Sequence, residues 1–299
     1  MDPVDSIKVA NTLGECVVWN DQTQSLWWTD IQESRLYRLD WQNRALREFS
    51  TPERLCSFGF AAGSTALIAA FESGLALFEP GSGRTQWLWK LARPGQRLND
   101  GRVDRQGRFW AGAMAELRTE EGKAELFCLD ANGQVQCRER GITISNGICF
   151  SPDGAAFYFA DTPTRTIWRY GFSASDGAIS DRRVFVQTPE GAFPDGATVD
   201  AEGFLWSAHW GAGRVVRYTP EGAIDRVIEV PASQPTSVAF GGADLDLLFV
   251  TTAREGLSEA ALAAQAGAGD VFVYNVDVVG LPEHQFRSES PKPLGSEGL

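Results

Sequence analysis

One pattern recurs six times along this chain, at intervals of about forty to fifty residues: a set of short apolar strands separated by polar turns. The first unit runs through Leu13–Trp19, a turn at Asn20–Gln22, then Ser25–Asp30, Arg35–Asp40 and Ala45–Phe49. The second repeats the order in Cys56–Phe60, Ala66–Ala70, Gly74–Phe78 and Thr85–Trp89. Units three to six open at Asn99, Asn146, Asp195 and Thr236. The strands are β-branched or aromatic and are bounded by Gly, Pro, Asn and Asp. A sandwich does not explain the fixed order inside every unit, and a TIM barrel needs eight amphipathic helices. Here only Ser258–Gln265 reads as helical, with Ser258 as N-cap. The pattern predicts an all-β fold, a six-bladed β-propeller with four-stranded blades.

The ends fit a closed ring. Ser6–Ala10 precedes the first unit and has no unit of its own, so it is expected to supply the outer strand of the last blade and close the circle. Residues 1–299 are read as a single domain, whose polar tail from about Pro282 is expected to be peripheral or disordered. A chain of this length can bury a large core without disulfides. Its five cysteines are odd in number and show no Cys-x-x-Cys spacing, which argues against a disulfide framework or a zinc ribbon and for a reducing, cytoplasmic compartment. The N-terminus lacks the basic start and apolar run of a signal peptide, and no apolar run is long enough to span a bilayer. The net charge of −12 opposes binding to nucleic acid or anionic membranes. A monomer or weak homo-oligomer is expected.

Candidate chemistry emerges when the units are placed in phase. The last apolar residues of the first strands are Trp19, Phe60, Val103, Phe150, Val199 and Phe240; four residues earlier stand Glu15, Cys56, Asn99, Asn146, Asp195 and Thr236. In a propeller the first strand of each blade lines the central channel, so these positions form a ring around one mouth. Four of them carry carboxylate or amide oxygens. Convergent oxygens without histidine or thiolate suit a hard divalent cation, Ca²⁺, Mg²⁺ or Mn²⁺, and leave Zn²⁺ and Fe²⁺ open. Taken singly, each Asn-Gly or Asp-Gly is an ordinary turn dipeptide, and Asp100-Gly101 could replace Asn99 in the alignment.

At these residues the chain resembles the SMP-30/gluconolactonase/LRE family. The supporting phrases are Leu13-Gly14-Glu15, Arg97 to Gly101, Gly112 to Glu116, Ser145-Asn146-Gly147, Ser151 to Gly154, Pro194-Asp195-Gly196, Phe240 to Gly242 and Thr251 to Gly256. The resemblance implies one divalent metal held by Glu15, Asn146 and Asp195, with Asp195 also the acid/base. It implies substrate contacts from Arg97, Asn99 and Glu116, and a lid over the site formed by the segment Met114–Lys123. Family members often carry a second acidic residue after the position of Glu116; this chain has Leu117. The implied reaction opens a sugar lactone, such as glucono-, xylono-, arabinono- or galactonolactone, to its aldonic acid.

Three other readings compete. A phosphotriesterase-like hydrolase would use similar site chemistry. A calcium-binding regulatory protein would bind metal without turnover, and an interaction scaffold would need no metal. No Gly-x-Ser-x-Gly elbow is present. The only histidines are His209 and His284, too few for a zinc site; His209 follows an inner strand and reads as a loop histidine before a mouth residue. Trp210 is a candidate surface for a sugar face, whereas most of the ten tryptophans read as blade packing.

Overall fold

The structure is a computed structural model that describes residues 1–288. It contains six four-stranded antiparallel sheets, five built from consecutive strands and the sixth completed by the N-terminal strand, arranged as a six-bladed β-propeller. Blade 1 runs Gly14–Asn20, Ser25–Asp30, Arg35–Asp40 and Leu46–Ser50 from channel to rim. The other inner strands are Leu55–Phe60, Gln96–Val103, Ser145–Phe150, Phe193–Val199 and Pro235–Gly241, and they pack side by side around the channel. Inner and middle strands are almost wholly buried because each blade is covered on both faces by its neighbours. Aromatic side chains fill the wedges between blades. Trp19 stacks on Phe249 between blades 1 and 6, and Trp110 meets Phe150, Phe157 and Phe172 between blades 3 and 4.

The ring closes as the sequence predicts, with a shift in bounds. Asp5–Ile7 pairs with Val271–Asn275 as the outer strand of blade 6. Glu259–Ala264 forms the single α-helix among the described residues, and the Ser258 hydroxyl accepts from Ala261 N at 3.2 Å. The outer strands Val135–Ile142, Ile179–Gln187 and Ile224–Glu229 are not evident in the sequence pattern. They lie at the rim, Ile179–Gln187 and Ile224–Glu229 mostly exposed, and their apolar residues are interrupted by charged ones.

One feature of the backbone positions the site, and another closes the far end of the channel. Each inner strand breaks register with its partner near its start: at Glu15/Val18, Leu55/Ser57, Leu98/Gly101, Asn146/Cys149, Pro194/Ala197 and Pro235/Val238. Such bulges twist a strand and re-aim its side chains, here toward the channel mouth. At the other mouth the chain after blade 6 crosses the channel. Ala201 N donates to Val279 O, Glu283 pairs with Arg102 inside the channel, Phe286 N donates to Phe60 O and Arg287 N to Gly107 O. The composition from about Pro282 predicts a peripheral or disordered tail. Instead its first part is packed, with Phe286 buried; residues 289–299 lie outside the described residues.

Candidate active site

The starts of the inner strands enclose a cavity of about 310 Å³, within the size of small-molecule pockets. Glu15, Arg97, Asn99, Asn146 and Asp195 all line it. Its wall is apolar, formed by Leu13, Met114, Ile144, Pro163, Phe193 and Trp210, and Thr162 and Glu255 complete the lining. Four of the six in-phase positions therefore converge on one space, whereas Cys56 and Thr236 do not line it, and geometry separates the two alignments at Asn99 and Asp100. Asn99 faces the cavity, whereas Asp100 lines a smaller cavity deeper in the channel, its carboxylate accepting from Gly101 N at 2.8 Å and Ile148 N at 2.9 Å.

A chain of hydrogen bonds orients the amides. Arg97 Nη1 donates to Asn99 Oδ1 at 2.7 Å, which leaves Asn99 Nδ2 to donate to Ser145 O at 2.9 Å and Asn146 Oδ1 at 3.1 Å. Asn146 Nδ2 in turn donates to Thr162 Oγ1 at 2.8 Å. The Thr162 hydroxyl spends its one proton on Pro194 O at 2.8 Å, so it can only accept from Asn146. Asn146 therefore keeps its oxygen, with a second lone pair, on the side of Asn99. Thr162 opens the short 3-10 turn that follows a middle strand, and nothing in its sequence surroundings marks it.

The electrostatics are those of an uncompensated anion cluster. Burial, then the nearby Asp100 charge, pushes Glu15 up to about 8, although Cys16 N donates to its carboxylate at 3.0 Å and Arg97 is close. Burial followed by the Glu15 and Asp100 charges raises Asp195 well above the usual carboxylate range. Burial also raises Asp100. Arg97 is the only cation lining the cavity among the described residues, and its Nη1 is shared among Asn99, Leu98 O and Cys56 Sγ. No three His, Cys, Asp or Glu side chains form a metal site by themselves among the described residues. A cation here must draw on the Asn146 amide as well as Glu15 and Asp195. That all-oxygen set, with two carboxylates lacking full compensation, fits a hard divalent ion.

Other predicted residues sit elsewhere. Glu116 does not line this cavity. It borders an adjoining groove with Glu72, Arg93 and Gln96, paired with Arg54 Nη1 at 2.8 Å and 3.6 Å from Arg97 Nε. It reaches the site only through Arg97. Arg54, which sequence reasoning missed, also pairs with Glu72 at 2.5 Å. Met114, at the start of the expected lid, lines the cavity; Leu117 is exposed. His209 is fully buried beside Tyr218 and Arg214, its pKa lowered to about 3 by burial, and it does not reach the cavity. His284 lies at the opposite mouth.

A family model described as the SMP-30/Gluconolactonase/LRE-like region matches residues 13–254. A Pseudomonas putida protein, 6-deoxy-6-sulfogluconolactonase, is 37% identical over 94% of this chain and 97% of its own. A Haloferax volcanii pentonolactonase is 35% identical over 93% of this chain and 94% of its own. The crystal structure of a calcium-binding protein, regucalcin from Agrobacterium tumefaciens, superposes with a TM-score of 0.90 at 31% identity, covering 95% of this chain and 98% of that one.

Proposed function

The chain belongs to the SMP-30/gluconolactonase/LRE-like family, and on that premise we propose that it hydrolyses a sugar lactone to the open aldonic acid in the cavity ringed by Glu15, Asn146 and Asp195. The observation that carries this reading is the convergence of two poorly compensated carboxylates and an oriented amide oxygen in an open-mouthed, mainly apolar cavity. Glu15, Asn146 and Asp195 would hold one divalent cation, with Ca²⁺, Mg²⁺ and Mn²⁺ favoured by the all-oxygen donors. Such an ion, when bound, supplies Lewis-acid polarisation of a carbonyl and a lowered pKa for water.

The protein's own contribution is placement and proton transfer. The new bond joins water oxygen to the lactone carbonyl carbon, and the ring carbon–oxygen bond breaks. Asp195 takes the proton from water and returns it to the departing ring oxygen. Burial raises the proton affinity of Asp195, which favours accepting the proton, and a cation held beside it would lower that affinity, which would favour giving the proton back. Arg97 fixes the Asn99 amide and presents the remaining guanidinium N–H groups to lactone oxygens. Trp210 and Phe193 offer apolar faces for the sugar's C–H surface and help exclude water.

A second reading, metal binding without turnover, draws on the close superposition with the calcium-binding structure. A pH-drop assay over several sugar lactones, with chelator and with each metal restored, separates the two. Asp195→Asn should lower turnover by about 10²–10⁴-fold, the range of a lost general base, with the fold retained. Near-wild-type turnover in that variant would overturn the mechanism, and metal binding without any lactone turnover would favour the second reading.

A further inference from the structure

We propose that Glu255 is a specificity residue of this site, accepting a hydrogen bond from a hydroxyl of a neutral sugar lactone and turning away lactones with an anionic substituent. The inference rests on the lactonase reading above.

Glu255 lines the cavity together with Glu15, Arg97, Asp195 and Trp210. It lies in blade 6, between the strands Leu247–Thr252 and Val271–Asn275, whereas Arg97 lies in blade 3. In a six-bladed ring these two blades face each other, so a substrate held at Arg97 points its opposite edge at Glu255. The residue is anchored on three sides. Gln32 Nε2 donates to Glu255 Oε1 at 2.5 Å, Glu255 N donates to Thr12 O at 2.9 Å, and Gln234 Nε2 donates to Glu255 O at 3.0 Å. A carboxylate fixed before binding loses little freedom when it meets substrate. Among the described residues no Lys or Arg pairs with it, and an ionised carboxylate can only accept hydrogen bonds. Sugar hydroxyls supply the donors.

The charge balance points the same way. With a divalent cation bound, Glu15 and Asp195 would be ionised, and the charged groups lining the cavity would be Glu15, Asp195 and Glu255 against Arg97, three negative and one positive. A divalent cation brings that sum to zero, so the loaded cavity is matched to an uncharged substrate. Without Glu255 the sum would be one positive charge, which would welcome a phosphate or sulfonate. The protein's net charge of −12 adds to the repulsion of anions.

The test compares gluconolactone with the same lactone phosphorylated on its exocyclic carbon, using metal-loaded wild type, Glu255→Gln and Glu255→Asp. Glutamine keeps the oxygen that Gln32 needs, so the rim remains anchored. In Glu255→Gln the kcat/KM for gluconolactone should fall about tenfold, mainly in KM, as expected for a lost charge-assisted hydrogen bond. Its preference for the neutral over the phosphorylated lactone should shrink about tenfold or more, while Glu255→Asp, which keeps the charge but not the reach, should retain the exclusion. An active wild type whose preference and KM are unchanged in Glu255→Gln overturns this inference alone. A wild type inactive on every sugar lactone with each metal restored overturns the lactonase reading and this inference together.

Discussion

At the residue scale, the site is a set of side chains whose orientation is decided by neighbours. Arg97 sets the Asn99 amide, Asn99 and Thr162 set Asn146, and Thr162 is fixed by the Pro194 carbonyl. The carboxylates have no comparable compensation, and that has a consequence for stability. Glu15 rises from an ordinary 4.5 to about 8, and Asp195 moves in the same direction. Between those values the folded protein holds protons that the unfolded chain has released, so stability must fall as pH rises through that window. In chelator, the melting temperature should therefore decline by several degrees from pH about 5 to about 8, and added divalent cation should flatten the decline. A metal-free melting temperature that rises across this range would show that the carboxylates are compensated by something else. The same contrast explains what could be read in the sequence. Glu15, Asn99, Asn146 and Asp195 are legible because they recur in phase with similar oxygen-bearing side chains, whereas Thr162 and Glu255 lie after the second strands of their blades, where the blades present dissimilar residues to the cavity, Met114 and Trp210 among them.

At the scale of elements, the inner strands do two jobs with one sequence pattern: a bulge at the start aims side chains at the mouth, and a carboxylate turn at the end locks the next strand. Asp104 in blade 3 and Asp200 in blade 5 show the second device. Asp200 Oδ1 accepts from Glu202 N and Phe204 N, each at 3.0 Å, while Oδ2 accepts from Trp206 Nε1 at 2.8 Å and Arg217 Nε at 2.9 Å. Asp104 makes the corresponding set with Gln106, Arg108 and Trp110. Because Asp200 is wholly buried, Asp200→Ala leaves Arg217 and Trp206 without a common acceptor and should cost about 3–5 kcal/mol, the range for breaking a buried ion pair. A urea midpoint measures this, and an unchanged midpoint would show that Glu202 and Asp225 alone hold Arg217. This turn lies at the mouth opposite the cavity, so turnover per folded molecule should be preserved. Outer strands carry no such device. Ile179–Gln187 is mostly exposed and polar, which is why periodicity locates the inner three strands of its blade and not the fourth.

For the whole molecule, closure is the governing problem, since a ring of sheets is only as stable as its last seam. The N-terminal strand seals blade 6, and this was legible because Ser6–Ala10 is an apolar-alternating stretch with no unit of its own. The segment after blade 6 was not legible. Its composition is that of a loose tail, and only the folded ring reveals the partners it meets: Arg102 in the channel, Phe60 and Ala61 of blade 2 and Gly107 of blade 3. Those partners come from different blades, so this segment ties blades together across the axis. Phe286 is its apolar anchor and sits in the core shared with blade 3. Phe286→Ala should destabilise the protein by about 3–5 kcal/mol, as expected for a buried phenylalanine left as a cavity. Because the segment crosses the mouth opposite Glu15 and Asp195, KM for a lactone should remain within about twofold of wild type, below the tenfold that each 1.4 kcal/mol of binding represents. A large rise in KM at unchanged stability would instead mean that the strap shapes the catalytic cavity through the channel, with Arg102 and Asp100 as the route.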